Sequence, residues 1–451
     1  PPQAREHTWL VGGAVRATLM GREVKDLDFV VAGDALATAR AVADALSADY
    51  FPLDAERGVG RVLINSINGM VIDFARMHPD GITADLLARD FTINAMALPA
   101  GGAMCLLDPA GGREHLAEKR ICMLSQSTLP ADPIRVVRAV RLAVELGFRI
   151  DSETRESLRE NAPSLEQVSA ERMRDELLRC LGGPNPTRAL RTLDRLGVLE
   201  HALPEWGGTR AESALAVSGA LQAILSVLRT RHDVDSASEF ALGLLAARVG
   251  RFRRELSGRL SECVAAQRSR RQLLYLGALL RSCCTTAQAR ERCHALRFSN
   301  AECDLVAAMA RTVVLPEPEP PRRSDSNGGS VRAPVALSTR RIHRFFRIQR
   351  GVGVEACLLS LAGTLAAHGP ALPQGEWAQK VDTVLSLLDG YFNRFDEVIE
   401  PSSVIDGDEI MRALGIPQGE RVGTLLSEIS EAQAAGEVAT RSQALQLART
   451  L

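Results

Sequence analysis

Thr8-Trp-Leu-Val-Gly-Gly-Ala-Val-Arg-Ala-Thr-Leu-Met-Gly21, followed closely by Lys25-Asp-Leu-Asp-Phe-Val-Val31, decides the reading of this chain. Trp9 to Val11 predict a short apolar strand. Gly12 and Gly13 then turn the backbone into a helix that begins near Ala14. A glycine turn feeding a helix N-terminus presents backbone N–H groups to an anion, which suits a triphosphate. Leu27 to Val31 predict a second strand. Residues i and i+2 of a strand face the same side, so Asp26 and Asp28 point the same way, roughly 6.6 Å apart. Two carboxylates so placed can share a pair of Mg2+ ions, the arrangement of metal-assisted phosphoryl transfer. Asp-x-Asp or Gly-Gly alone is common in turns and solvated faces. Gly-Gly-x-Val-Arg followed by Asp-x-Asp on an apolar strand is far more specific.

Composition narrows the class. At 451 residues the chain has room for about three domains, and 46% hydrophobic content supports sizeable cores. A net charge of −1 gives no global pull on nucleic acid, so RNA binding must come from local patches. Lys25, Lys119 and Lys380 are the only lysines; arginine carries the rest of the positive charge. The nine cysteines are scattered, with no Cys-x-x-Cys pair. They predict reduced thiols in a cytoplasmic protein without a zinc site. The most apolar stretch, Ala214 to Leu228, is broken by Ser218, Gln222 and Ser226 and predicts a core helix, not a membrane span. A monomer or weak dimer is expected.

Residues 1–125 alternate strand-like and helical runs. Ala35 to Leu46 predicts a helix. Arg61 to Ile67 and Met70 to Phe74 predict two strands joined by a turn at Ile67-Asn-Gly. A further strand is expected to end near Leu107. From about Asp132 onward helical periodicity dominates. The stretch 316–334 is rich in proline, serine and glycine and reads as a linker or surface loop. The expected architecture is α+β. A head with a small mixed sheet (1–125) precedes an elongated all-α neck (126–200), body (201–315) and tail (335–451).

Four more clusters follow. Asp85-Leu-Leu-Ala-Arg-Asp-Phe-Thr-Ile-Asn-Ala-Met-Ala97 carries Arg89, Asp90 and Asn94. Asp108-Pro-Ala-Gly-Gly-Arg-Glu114 reads as a turn. Ala131-Asp-Pro-Ile-Arg-Val-Val-Arg-Ala-Val-Arg141 predicts a helix capped by Asp132, with arginines at intervals of three. Ser169-Ala-Glu-Arg-Met-Arg-Asp-Glu176 predicts another helix. Singly, most are explicable as caps, turns and solvated faces.

Together, in this order, they resemble the class II tRNA nucleotidyltransferase and bacterial poly(A) polymerase family of the polymerase β superfamily. The resemblance is specific over residues 9 to about 200 and weaker beyond. It implies that Asp26 and Asp28 bind Mg2+, and that Gly12, Gly13 and Arg16 hold phosphates. It further implies that Arg89, Asp90 and Asn94 line the sugar side, and that Asp132 and Arg135 read the base edge with Arg138 nearby. The region Glu171 to Glu176 would brace the base-reading helix. Ala131 and Ala88 replace a glutamate and an arginine of the family pattern. Asp73, in Val71-Ile-Asp-Phe, is the candidate third catalytic carboxylate.

The implied reaction is attack of an RNA 3′-hydroxyl on the α-phosphorus of a nucleoside triphosphate, with pyrophosphate leaving. The partners are the tRNA 3′ end and CTP, with ATP as the alternative nucleotide. The segment from Asp73 to Arg89 is short. CC-adding members resemble the family with this loop shortened, so the expectation is addition of CC. Full CCA addition, A or poly(A) addition, and a non-catalytic RNA-binding relic are the alternatives. Leu337 to Arg350 predicts a basic helix whose Arg340, Arg341, Arg344 and Arg347 touch tRNA phosphates, or alternatively one that packs Phe345 and Phe346 inward. Arg251, Arg253 and Arg254 form a weaker patch. Asp406-Gly-Asp408 reads as a helix cap, with Glu409 closing a capping box. His232-Asp233 lacks a partner histidine for a metal site.

Overall fold

The computed structural model describes residues 7–24, 26–65, 69–101, 105–229, 240–265, 268–311, 313–317 and 337–451. Most of the expected linker, most of the turn at Ile67-Asn-Gly, and His232-Asp233 lie outside them. The chain divides into two compact units, Pro1–Pro204 and Glu205–Leu451.

The first unit is built on a six-stranded mixed sheet. Its strands are β1 (Thr8–Val11), β2 (Asp26–Val31), β3 (Asp49–Asp54), β4 (Val59–Ile64), β5 (Met70–Arg76) and β6 (Ala97–Pro99). Their order is β3-β4-β5-β2-β1-β6. Within this sheet only β2 and β5 pair in parallel, in a register that sets Asp28 beside Asp73. Alternation along the strands explains the two faces. Leu27, Phe29, Val62, Ile72 and Phe74 face the helix Ala35–Leu46 and pack on Ala35, Ala39 and Ala43. The intervening residues Asp26, Asp28, Arg61 and Asp73 therefore share the opposite face. The helix starts where Asp34 caps it, its carboxylate accepting from the Ala37 N–H at 3.0 Å.

Several sequence expectations shift. The strand expected over Arg61 to Ile67 begins at Val59 and ends at Ile64. Leu107 ends no strand; it forms an isolated bridge to Ala97. β3 carries no clean alternation and went unforeseen. The turn at Asp108 caps the helix Gly112–Ala117, its carboxylate accepting from the N–H groups of Gly112 and Arg113 at 2.7 and 2.9 Å. Asp132 is not a helix cap. The helix expected there runs Arg135–Leu146, and Asp132 lies before it at φ −152°. A turn at 133–134 intervenes, in which the N–H groups of Arg135 and Val136 donate to the carbonyls three residues back, Asp132 and Pro133, at 3.1 and 3.0 Å.

The second unit is helical, with one short hairpin (Cys263–Ala265 with Arg268–Ser269) among the described residues. Capping boxes begin its helices at Ser269, Thr285, Ser299, Asp406 and Thr440. The one at Asp406 accepts from the Glu409 N–H at 2.8 Å, as its sequence predicted. No single described helix is long and apolar enough to cross a membrane.

Candidate active site

The site gathers at the edge of β1 and β2. Gly12 ends β1 at φ +69°, a conformation that a side chain disfavours, and starts the helix Gly13–Leu19. A Cβ there would stand 3.1 Å from Arg89 Nη1 and 3.9 Å from Asp28 Oδ2. The glycine is thus what lets an arginine and a carboxylate approach one turn of backbone. Gly12, Gly13, Asp28, Asp85, Ala88, Arg89, Asp90, Asn94, Arg135 and Arg138 line a single cleft of about 400 Å³.

Hydrogen bonds order its wall. Asp90 Oδ1 accepts from its neighbour Phe91 N–H and from Asn94 Nδ2, both at 2.8 Å. Asn94 Oδ1 in turn accepts from Arg16 Nη1. Asp90 Oδ2 lies 3.4 Å from Arg138 Nη1. Glu176, buried on the helix Ala170–Gly182, takes Arg138 at 3.3 Å and Arg141 at 2.8 Å. Arg89 is tied to Asp85 at 3.1 Å. The Nε atoms of Arg89 and Arg135 are buried with no hydrogen-bond partner among the described residues. Arg89, Arg135 and Arg138 together make the cleft wall cationic, which suits an anionic or acceptor-rich ligand.

Asp132 and Arg135 are drawn together and already engaged. Arg135 donates to the carbonyls of Arg89, Thr128 and Ala88 at 3.0–3.1 Å, and its Nε lies 3.9 Å from Asp132 Oδ2. Asp132 accepts from Arg172 Nη2 at 2.8 Å and lies outside the cleft lining. Only the carbonyl of Ala88 is used here, so the methyl group that replaces the family's arginine leaves this contact intact.

Asp26, Asp28 and Asp73 crowd one face of the sheet. Burial, then the Asp73 and Asp26 carboxylates, push the Asp28 carboxyl above its ordinary value, with Arg89 and Arg61 pulling it back. Crowded carboxylate oxygens are the donor set of a hard divalent cation, so Asp26 and Asp28 could hold Mg2+. Among the described residues no group of three His, Cys, Asp or Glu side chains is arranged for a metal. Asp73 instead takes a two-pronged pair with Arg61 at 2.8 and 2.8 Å.

The sequence had not singled out Arg61 or Asp85. Asp85 carried a usable signal, its i,i+4 spacing to Arg89 on one helical turn. Arg172 lies in the Glu171 to Glu176 region expected to brace the neighbouring helix, and Arg61 carried no signal, because its partner is on another strand. In the second unit, Arg340 pairs with Glu437 at 2.5 Å, Arg344 with Glu431 at 2.5 Å, and Arg341 donates to the Glu317 carbonyl. Arg347 is exposed, while Phe345 and Phe346 are buried. Arg251 pairs with Asp389 at 2.9 Å, and Arg253 reaches the Val227 carbonyl.

Comparison with known proteins identifies the family. Residues 8–122 match the poly A polymerase head domain family, and residues 147–207 match the probable RNA and SrmB-binding site of polymerase A. A CC-adding tRNA nucleotidyltransferase of Geobacter sulfurreducens is 32% identical over 97% of this chain and 90% of its own. An A-adding tRNA nucleotidyltransferase of Deinococcus radiodurans is 31% identical over 96% of this chain and 93% of its own. A CCA-adding enzyme in complex with ATP shares the fold, with a TM-score of 0.64 at 21% identity over 98% of this chain and 91% of that one. The chain belongs to the family of tRNA nucleotidyltransferases and bacterial poly(A) polymerases, and is an enzyme that adds nucleotides to the 3′ end of tRNA.

Proposed function

We propose that the enzyme adds two cytidylates to tRNA and stops, using CTP and Mg2+. The observation that carries this reading is the connection from β5 to Arg89. It consists of Met77 to Gly81 and then the helix Ile82–Leu87. Gly81 N–H closes a turn on the His78 carbonyl at 2.9 Å, and His78 N–H donates to Asp85 Oδ1 at 3.3 Å. The other oxygen of Asp85 holds Arg89. Loop, helix and cleft arginine are therefore one hydrogen-bonded piece, with no slack length to act as a lever.

A base edge is read by complementary donors and acceptors. Cytosine offers an amino donor beside two acceptors, its ring nitrogen and its carbonyl. Asp132 would accept from the amino group, and Arg135 would donate its two-pronged fork to the acceptors. To do so each exchanges a present partner, Arg172 or a backbone carbonyl, for the base. Adenine offers one acceptor in place of two and a larger ring, so reading it requires the pair to reorient. Gly12, Gly13, Arg16 and Arg89 would hold the triphosphate, and Asp90 and Asn94 the ribose. Mg2+ on Asp26 and Asp28 would favour the attacking hydroxylate and offset charge on the phosphates. The new 3′-O–P bond forms as the α–β phosphate linkage breaks and pyrophosphate departs.

The test offers tRNA ending at the discriminator base, and tRNA already ending in CC, with CTP, ATP or both. A product two nucleotides longer, unchanged by added ATP, supports the reading. A third nucleotide with ATP present makes this a CCA-adding enzyme. Addition of A only to tRNA already ending in CC gives the second reading, favoured by the near-equal identity to the A-adding relative. Long A tails without CTP make it a poly(A) polymerase.

A further inference from the structure

We infer that Arg61, held by Asp73 beside the Asp26–Asp28 pair, contacts a phosphodiester at the 3′ end of the tRNA. The inference rests on reading that pair as the centre of phosphoryl transfer. β2 has two different neighbourhoods. On the β1 side, Gly12 approaches Asp28, and the cleft lined by Arg89, Arg135 and Arg138 opens. On the other side stand β5 and then β4, carrying Asp73 and Arg61, neither of which lines that cleft.

Nucleotidyl transfer is an in-line displacement, so the attacking hydroxyl stands opposite the leaving pyrophosphate. A triphosphate held on the β1 side leaves the β5–β4 side to the RNA. The group found there fits that task. Arg61 is directly opposite Asp73 across the antiparallel β4–β5 pair, and Asp73 is directly opposite Asp28 across the parallel β5–β2 pair. All three side chains share one face. Asp73 takes Arg61 Nε and Nη2, both at 2.8 Å, and the Arg61 side chain keeps 40% of its surface exposed. The Nη1 donors remain for an incoming oxygen anion, on a guanidinium that is already oriented. The Asp73 hydrogen bond, with Asp26 and Asp28 nearby, also holds the Arg61 pKa above its ordinary value. Asp73 is then a positioning residue and not a third metal ligand.

The experiment measures binding of tRNA ending at the discriminator base, without nucleotide, over a range of salt, and then transfer kinetics. Arg61→Met should weaken tRNA binding about tenfold and flatten the slope of log affinity against log salt by about 0.7–0.9. Arg61→Lys, which keeps the charge, should restore the slope. Asp73→Asn should raise KM for tRNA while leaving KM for CTP and the half-saturating Mg2+ concentration within about twofold. Circular dichroism melts check that each variant folds. Wild-type tRNA affinity and slope in Arg61→Met would overturn the inference. So would a tenfold rise in the Mg2+ requirement of Asp73→Asn, which would make Asp73 a metal ligand and Arg61 its counter-ion. Normal transfer by Asp28→Asn would instead remove the phosphoryl-transfer centre itself, whatever Arg61 does.

Discussion

Asp28 sits where its own charge is unwelcome. Its folded-state pKa is raised by burial and by the Asp73 and Asp26 carboxylates. The folded chain thus binds this proton more tightly than the unfolded chain. The associated stability is present at acid pH and is lost as pH rises above the unfolded aspartate value. At neutral pH the metal-free protein carries the penalty, and a divalent cation would relieve it. Asp28→Asn should therefore melt higher than wild type in chelator at pH 7.5, by about 2–4 °C for each kcal/mol relieved. Lowering the pH below the ordinary aspartate value should close the gap. Mg2+ should raise the wild-type Tm but not that of the variant, and the variant should lose transfer. A variant that melts lower in chelator would mean that the carboxylate is a structural partner instead. At this scale the sequence was informative: the i,i+2 spacing on an apolar strand placed Asp26 and Asp28 on one face. Asp73 was legible only as a candidate, because nothing local tells which strand lies beside β2.

Among the elements, the helix Arg135–Leu146 bears the cleft. Val136, Val137, Val140 and Ala143 bury one side of it. Arginines at intervals of three read as a solvated face, but the fold turns them inward. Glu176 at 4% exposure accepts from Arg138, Arg141 and Arg179. Arg138 then reaches Asp90, so a single carboxylate sets the helix against the cleft wall. Removing it takes a buried counter-charge from Arg138 and Arg141 and leaves each with its remaining carboxylate, Asp90 at 3.4 Å and Glu145 at 2.9 Å. Glu176→Ala should cost about 3–5 kcal/mol of stability by urea denaturation and weaken nucleotide binding as well. A loss below about 1 kcal/mol would show that solvent screens these pairs. The helix boundary illustrates how local chemistry competes. Aspartate is a good cap, yet a turn at 133–134 separates it from the helix, and its carboxylate finds Arg172 in place of a backbone N–H.

Over the whole molecule, charge is nearly balanced, so RNA must be met by patches. The basic helix Thr339–Ile348 is less available than its composition implied. Glu431, 1% exposed, is paired with Arg344 and lies 3.8 Å from Arg340 Nε. Arg344→Ala should lower stability by stranding that carboxylate, and any change in tRNA affinity would be indirect. Arg347 is exposed and takes part in none of these pairs, so it tests the surface. Arg347→Ala should leave the melting temperature unchanged and flatten the tRNA salt slope by about one. An unchanged slope would remove this helix from the RNA interface.

What the amino-acid order determined alone is what depends on neighbours within a few residues. The alternation of β2, the glycine turn at Gly12, the helix from Ala35 and the capping box at Asp406 are all set by local spacing and backbone preference. The tertiary structure decided which remote groups meet. It paired β2 with β5, handed Asp73 to Arg61, gave Arg135 three backbone carbonyls, and spent Arg344 on Glu431. Charged side chains in a partly buried site take whichever counter-charge the fold brings within reach, and that choice is made by strand order and helix packing, not by spacing along the chain.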